Sequence, residues 1–178
     1  SIGGDPTPRC GVVDGDQIVE VPGTLLELVS RGERPTLTGS RHALSSIRWH
    51  APIPRPLKNV FCVGRNYKGH IEEAAKTRGE TAKLPEVPVI FSKAPTAVSG
   101  PFDTISYDLS VTKEVDWEAE LGVVIGVGGR DIKRGDALKH IFGYTIINDV
   151  SARDLQKSHL QFFKGKSLDG FCPMGPVV

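Results

Sequence analysis

Asp116, Glu118 and Glu120 stand two apart in the run Val115-Asp116-Trp117-Glu118-Ala119-Glu120-Leu121-Gly122-Val123-Val124-Ile125-Gly126. An extended strand turns successive side chains to opposite faces. This spacing therefore predicts three carboxylates on one face, with Trp117, Ala119, Leu121, Val123 and Ile125 on the other. Carboxylates crowded in this way repel one another unless a cation neutralises them. No Lys or Arg interleaves with them, and a second apolar run, Tyr144 to Ile147, delivers Asp149 at a strand end. A hard divalent cation bound through oxygen satisfies such a set, and a set without Cys or His favours Mg²⁺, Mn²⁺ or Ca²⁺ over Zn²⁺. The same alternation also suits the solvated face of an amphipathic strand, and the pattern alone leaves both readings open.

His70 and Glu73 are three apart on an expected helix and so share a face. Either they form a surface ion pair of small energetic consequence, or Glu73 holds one imidazole nitrogen while the other takes a proton from water. The second is general-base work suited to a side chain that titrates near neutral pH. Lys166, in Gly165-Lys166-Ser167-Leu168-Asp169-Gly170, is either a solvated lysine in a glycine-rich turn or the partner of a substrate carboxylate beside the metal. Arg65, Arg153 and Gln156 are open in the same sense. Gly126-Val127-Gly128-Gly129-Arg130 lacks the third glycine of a dinucleotide loop, Asp131 standing in its place, and reads as a turn.

Several elements must position these groups. Asn59 to Val63 reads as a buried strand, and Gly64-Arg65-Asn66-Tyr67 turns it into a helix from about Lys68 to Thr77. Arg78 to Pro88 is polar and proline-containing and reads as a mobile loop. Strands are expected over 89–93, 116–127 and 143–147, with a short helix from Asp131 to His140. A further helix through Arg153 to Gln156 is expected to be capped by Asp149 or Ser151. Upstream, Gly11-Val12-Val13 and Gln17 to Val21 flank the Asp14-Gly15 turn of a hairpin. Thr24 caps the helical pattern Leu25 to Val29, which Gly32 closes. The proline-rich stretch 51–56 reads as a linker.

The 178 residues suit one domain with a small appendage, and 22 basic against 21 acidic residues leave a net charge of +1. That balance gives no footprint for nucleic acid or an anionic membrane. No apolar stretch is long enough to span a bilayer, and Ser1-Ile2-Gly3-Gly4-Asp5 has no signal-peptide pattern, so a cytoplasmic protein is expected. Cys10, Cys62 and Cys172 are odd in number and widely spaced, and read as reduced thiols with Cys62 in a strand.

Taken together, four motifs in this order resemble the fumarylacetoacetate hydrolase family. They are Val63-Gly64-Arg65-Asn66-Tyr67 with His70 and Glu73, Glu118 to Val124, Asn148 to Asp154, and Gly165-Lys166-Ser167 leading to Phe171-Cys172-Pro173-Met174-Gly175-Pro176. The resemblance implies a mixed α/β, β-rich architecture: a catalytic β-fold with flanking helices over 53–178, and a small N-terminal α+β module with its linker over 1–52, as in bacterial members. It implies Mg²⁺ or Mn²⁺ and a homodimer. By position Glu118, Glu120 and Asp149 fall on the family's metal ligands, and His70 and Glu73 on its water-activating dyad, carried on a helix and lid that order with ligand. Lys166 falls on its active-site lysine, and Arg65 and Gln156 on substrate contacts.

The implied activity is metal-dependent hydrolysis of a C–C bond in a small 2-oxo or β-diketo acid, of acylpyruvate or fumarylacetoacetate type. The alternatives are a decarboxylase of oxaloacetate-like acids, an isomerase of 2-hydroxyhepta-2,4-diene-1,7-dioate-like acids, or a noncatalytic carboxylate-binding or scaffold protein. The chemistry suits the residues, because a 2-oxo acid chelates a cation through its carboxylate and keto oxygens. Family members ordinarily continue into further strands with a Gly-Thr-Pro motif. Here the sequence stops where a strand begins, and it reads as cut inside a domain.

Overall fold

The hairpin comes first, because a glycine makes its turn possible. β1 (Cys10–Asp14) and β2 (Gln17–Val21) pair antiparallel with Asp14 opposite Gln17, so Gly15 and Asp16 form a two-residue loop. Gly15 takes φ 63° there, a left-handed value that a side chain would disfavour. α1 (Leu25–Arg31) starts with a capping box in which Thr24 and Glu27 satisfy each other's backbone N–H groups, and it stops at Gly32 with φ 64°. β3 (Arg41–Ala43) adds to β2 and completes a three-stranded sheet. The computed structural model describes residues 1–2, 7–32, 34–77 and 79–178, save the side chain of Ala74. Gly3 to Asp5 of the N-terminal reading, and Arg78 at the head of the expected loop, lie outside the described residues.

The segment expected to be a linker contributes to the core. Ala51 and Ile53 are buried with Ala97, Ile147, Cys172 and Met174, and Leu25 and Leu26 of α1 pack against the same cluster. β4 (Val60–Gly64) then pairs antiparallel with β5 (Val89–Lys93) after α2 (Lys68–Thr77) has intervened. The short β6 (Val98–Ser99) later receives β11 (Cys172–Pro173) in parallel.

The acidic segment departs from a single strand over 116–127. β7 (Val115–Asp116) and β8 (Ala119–Ile125) are separate strands. β8 pairs antiparallel with β9 (Ile141–Asn148), and β7 pairs with β10 (Ser151–Ala152). Trp117-Glu118 and Asp149-Val150 form the break between the two ladders. The Asp149 N–H donates to the Glu118 carbonyl at 2.8 Å, and the Glu118 N–H to the Asn148 side chain at 3.2 Å, so the break stays hydrogen-bonded.

α3 (Arg153–Ser158) follows directly, and α4 (Phe163–Lys166) is a single turn. The expected cap at Asp149 or Ser151 is not used: the residue before α3 is Ala152, which offers no side-chain cap, because β10 occupies the intervening positions. The expected helix over 131–140 is a tighter 3₁₀ run from Arg134 to His140. β11 (Cys172–Pro173) completes the chain order. A second cluster, Val150, Ala152 and Phe171, lies under α3 with Leu155 and Leu168 packed on it. Fully burying a phenylalanine such as Phe171 contributes about 2–3 kcal/mol. Among the described residues no helix is long and apolar enough to cross a membrane.

Candidate functional site

Asp149 sits in the strand break, buried, with both carboxylate oxygens engaged. Lys93, the last residue of β5, donates from Nζ to Asp149 Oδ1 and to the Val150 carbonyl, the latter at 3.0 Å. Lys166, at the end of α4, donates to Asp149 Oδ2 at 2.8 Å and to Glu118 Oε2 at 2.7 Å. The second oxygen of Glu118 meets Arg153 Nη2 at 2.6 Å, and Arg153 also grips Asp116 through Nε and Nη2 at 3.0 and 2.7 Å. Arg153 Nη1 donates to the Gln156 side-chain oxygen at 2.9 Å. Asp116 is therefore neutralised by the same guanidinium that holds Glu118.

Glu120 completes the group from β8. Burial raises its pKa above the ordinary glutamate value; Glu118 and Asp149 add to the rise, and a hydrogen bond from the Tyr67 hydroxyl opposes it. Lys166 is 2% exposed and its ammonium lies 5.3 Å from the centre of the Phe91 ring. The sequence reading of Lys166 as a turn residue is thus replaced by a buried ammonium at the junction of two carboxylates. α4 packs too closely for a larger neighbour: a Cβ on Gly165 would come within 2.8 Å of the Ala152 carbonyl.

Burial pulls Lys93 below the ordinary lysine value, with Asp149 opposing. Lys93 escaped the sequence reading, although a signal was present. It occupies the inward parity of β5 with Val89 and Phe91, where a charged side chain needs a buried partner. Two thiols lie nearby; burial pushes Cys62 up to about 12 and Cys172 up to about 11, and all three cysteines are free. Cys62 lies in a strand, β4, as the sequence predicts, but is half-buried there instead of buried.

The remaining candidates lie apart from this cluster. Arg65 and His70 line a cleft of about 800 Å³ with Glu80, Thr81 and Lys83, and none of the three carboxylates lines it. Tyr67, between Arg65 and His70 in sequence, joins the two regions through its bond to Glu120. Arg65 holds φ 52°, a left-handed value uncommon for a residue with a side chain. His70 and Glu73 are both exposed on α2, and among the described residues no hydrogen bond or ion pair joins them.

The donor set suits a hard cation in kind: carboxylate oxygens only, with Glu120 the least compensated of them. Among the described residues no group of three or more His, Cys, Asp or Glu stands as a preformed metal cage. Lysine and arginine occupy the oxygens of Glu118 and Asp149 instead, so a bound cation would share or displace these donors.

Residues 59–178 match the family model for the C-terminal domain of fumarylacetoacetate hydrolase. The chain is 43% identical to oxaloacetate tautomerase YisK of Bacillus subtilis (strain 168), over 91% of the chain and 58% of that protein. Among solved structures, the fumarylacetoacetate hydrolase of psychrophilic Exiguobacterium antarcticum superposes with a TM-score of 0.82 at 42% identity, covering 99% of this chain and 64% of that one. Maleylpyruvate hydrolase of Sphingobium sp. SYK-6, solved with manganese(II) and pyruvate, gives a TM-score of 0.68 at 25% identity over 94% of this chain and 62% of that one. The chain thus spans about three fifths of the length of these relatives.

Proposed function

Because the chain belongs to the fumarylacetoacetate hydrolase family, whose relatives above are enzymes, we propose that the full-length protein is a divalent-metal-dependent tautomerase of a small 2-oxo acid of oxaloacetate type. One observation carries the reading: Lys166 holds a desolvated ammonium between Glu118 and Asp149, in a chain 43% identical to an oxaloacetate tautomerase. Hydrolytic C–C cleavage, the first expectation from sequence, has less support, because the curated relatives this chain resembles are oxaloacetate tautomerases.

Keto–enol exchange moves one proton between C3 and the 2-oxygen and consumes no water. In this reading Lys166 donates toward the 2-oxygen as negative charge develops there, and its burial strengthens that donation. His70, on the cleft side of α2, in the same reading carries the proton from C3 to the 2-oxygen in the enol direction and back in the other, with Glu73 as the residue that orients the imidazole. Arg65 and Gln156 hold the substrate carboxylates. Mg²⁺ or Mn²⁺, held by Glu118, Glu120 and Asp149, would supply Lewis-acid polarisation of the chelated 2-oxo acid.

The test follows oxaloacetate enol by ultraviolet absorbance and acetylpyruvate cleavage by product assay, each with the full-length protein plus Mg²⁺ or Mn²⁺ and again after EDTA. Accelerated, EDTA-sensitive enol–keto exchange with little cleavage is the expected result. Dominant acetylpyruvate cleavage restores the hydrolase reading, and metal-dependent loss of CO₂ from oxaloacetate makes the protein a decarboxylase.

A further inference from the structure

Asp149 is held from both sides by lysines that reach it from different parts of the chain, and one serine ties those parts together. Lys93 is fully buried and spends its donors on Asp149 Oδ1 and the Val150 carbonyl. Lys166 takes Asp149 Oδ2. Ser167, the next residue, accepts from the Ala94 N–H at 3.2 Å and donates to the Ser92 carbonyl at 3.4 Å, so its hydroxyl bonds the backbone on either side of Lys93. The backbone segments that carry the two lysines are thereby tied together independently of Asp149.

A buried lysine–carboxylate pair is a poor device for stability alone, since well-packed apolar residues of the same volume do as well or better. It is a good device for fixing a carboxylate. With one donor on each oxygen, neither rotation about the Cβ–Cγ bond nor exchange of the two oxygens is available to Asp149 without breaking a buried hydrogen bond. Outer partners of this kind orient ligand groups and set their affinity.

We propose that Lys93, tied to the Lys166 segment by the Ser167 staple, is a positioning residue that locks the Asp149 carboxylate in the orientation its site requires. This rests on the reading of Asp149 as a site carboxylate. Lys93 makes no contact with substrate in this scheme; it acts through Asp149.

The test uses the full-length protein with Lys93→Met, Ser167→Ala, Ser167→Thr, Asp149→Asn and the Lys93→Met/Asp149→Asn double variant. Mn²⁺ binding is measured by calorimetry, kcat and KM on oxaloacetate separately, and thermal unfolding in EDTA on every protein. Lys93→Met is expected to weaken Mn²⁺ binding by about 10- to 100-fold and to lower kcat with little change in KM. Ser167→Ala should weaken Mn²⁺ binding several-fold, Ser167→Thr should restore it, and the double variant should lose no more than Asp149→Asn alone.

Should Asp149→Asn bind Mn²⁺ as the parent does, the metal assignment under the proposed function fails. The clamp is then judged on kcat: equal, non-additive losses in the two single variants and the double support it, and additive losses overturn it. Parental Mn²⁺ affinity and kcat in folded Lys93→Met overturn it too. If that variant does not fold, the same result in Ser167→Ala overturns it.

Discussion

Lys166 is buried and touches two carboxylates, whereas His70 lies exposed on α2 beside a cleft of about 800 Å³. The first belongs to a floor in which Glu118 and Asp149 are paired with Lys93, Lys166 and Arg153 from other segments. The second belongs to a helix joined to that floor by the Tyr67–Glu120 bond and by chain connectivity. The contrast separates two tasks. A floor that holds charge must be rigid, because any relaxation strands a buried ion, while an exposed helix such as α2 can move without such a penalty.

Breaking the floor should have the largest effect. Lys166→Met leaves Glu118 and Asp149 facing each other without the shared ammonium, and is expected to cost about 3–5 kcal/mol of stability. It should lower kcat by about 10²–10³ even where the protein folds. Urea unfolding and steady-state kinetics on the same preparation check both numbers.

His70→Ala attacks the other side of the comparison. On an exposed position it should shift stability by no more than about 0.5 kcal/mol, while enol–keto exchange falls and any acetylpyruvate cleavage disappears. Unchanged exchange rates in a His70→Ala protein would move the base assignment from α2 to the floor.

A smaller effect tests where the two regions touch. Burial holds the pKa of Glu120 above its ordinary value, so its protonation favours the folded state below the unfolded value near 4.3, and this contribution is lost as pH rises through the raised folded value. Asp116 runs the other way. Its bond to Arg153 lowers its pKa, giving stability that is present above the unfolded value near 3.9 and lost as pH falls through the lowered one. Glu120→Gln should therefore raise Tm in EDTA at pH 7 by about 1–3 °C while weakening Mn²⁺ binding, and the gain in Tm should shrink toward pH 4. Tm measured across that range checks the sign.

Much of the N-terminal sheet and α1 was legible because local signals decide them: a glycine at the hairpin turn, a capping box at Thr24, a left-handed glycine at position 32. The bounds of α2 and β5 followed from the apolar pattern in the same way. The site was legible in part. Glu118 and Glu120 stood out by spacing and Asp149 by its place at a strand end, and the structure joins Glu118 and Asp149 through Lys166. What alternation could not reveal is the break at Trp117-Glu118, because it arises from pairing with β9 and β10 some thirty residues away. Lys93 was half-hidden: its inward parity in β5 was a local signal, but the partner that makes its burial tolerable, Asp149, is distant in sequence.

That distance also bears on how the molecule assembles. Lys93 meets Asp149 across 56 residues and Lys166 meets Glu118 across 48. Each contact needs a long loop closed before any favourable energy returns, so the charge cluster should be among the last features to consolidate during folding and the first to dissolve on partial unfolding. An incompletely folded or nicked chain therefore keeps no assembled charge cluster of this kind.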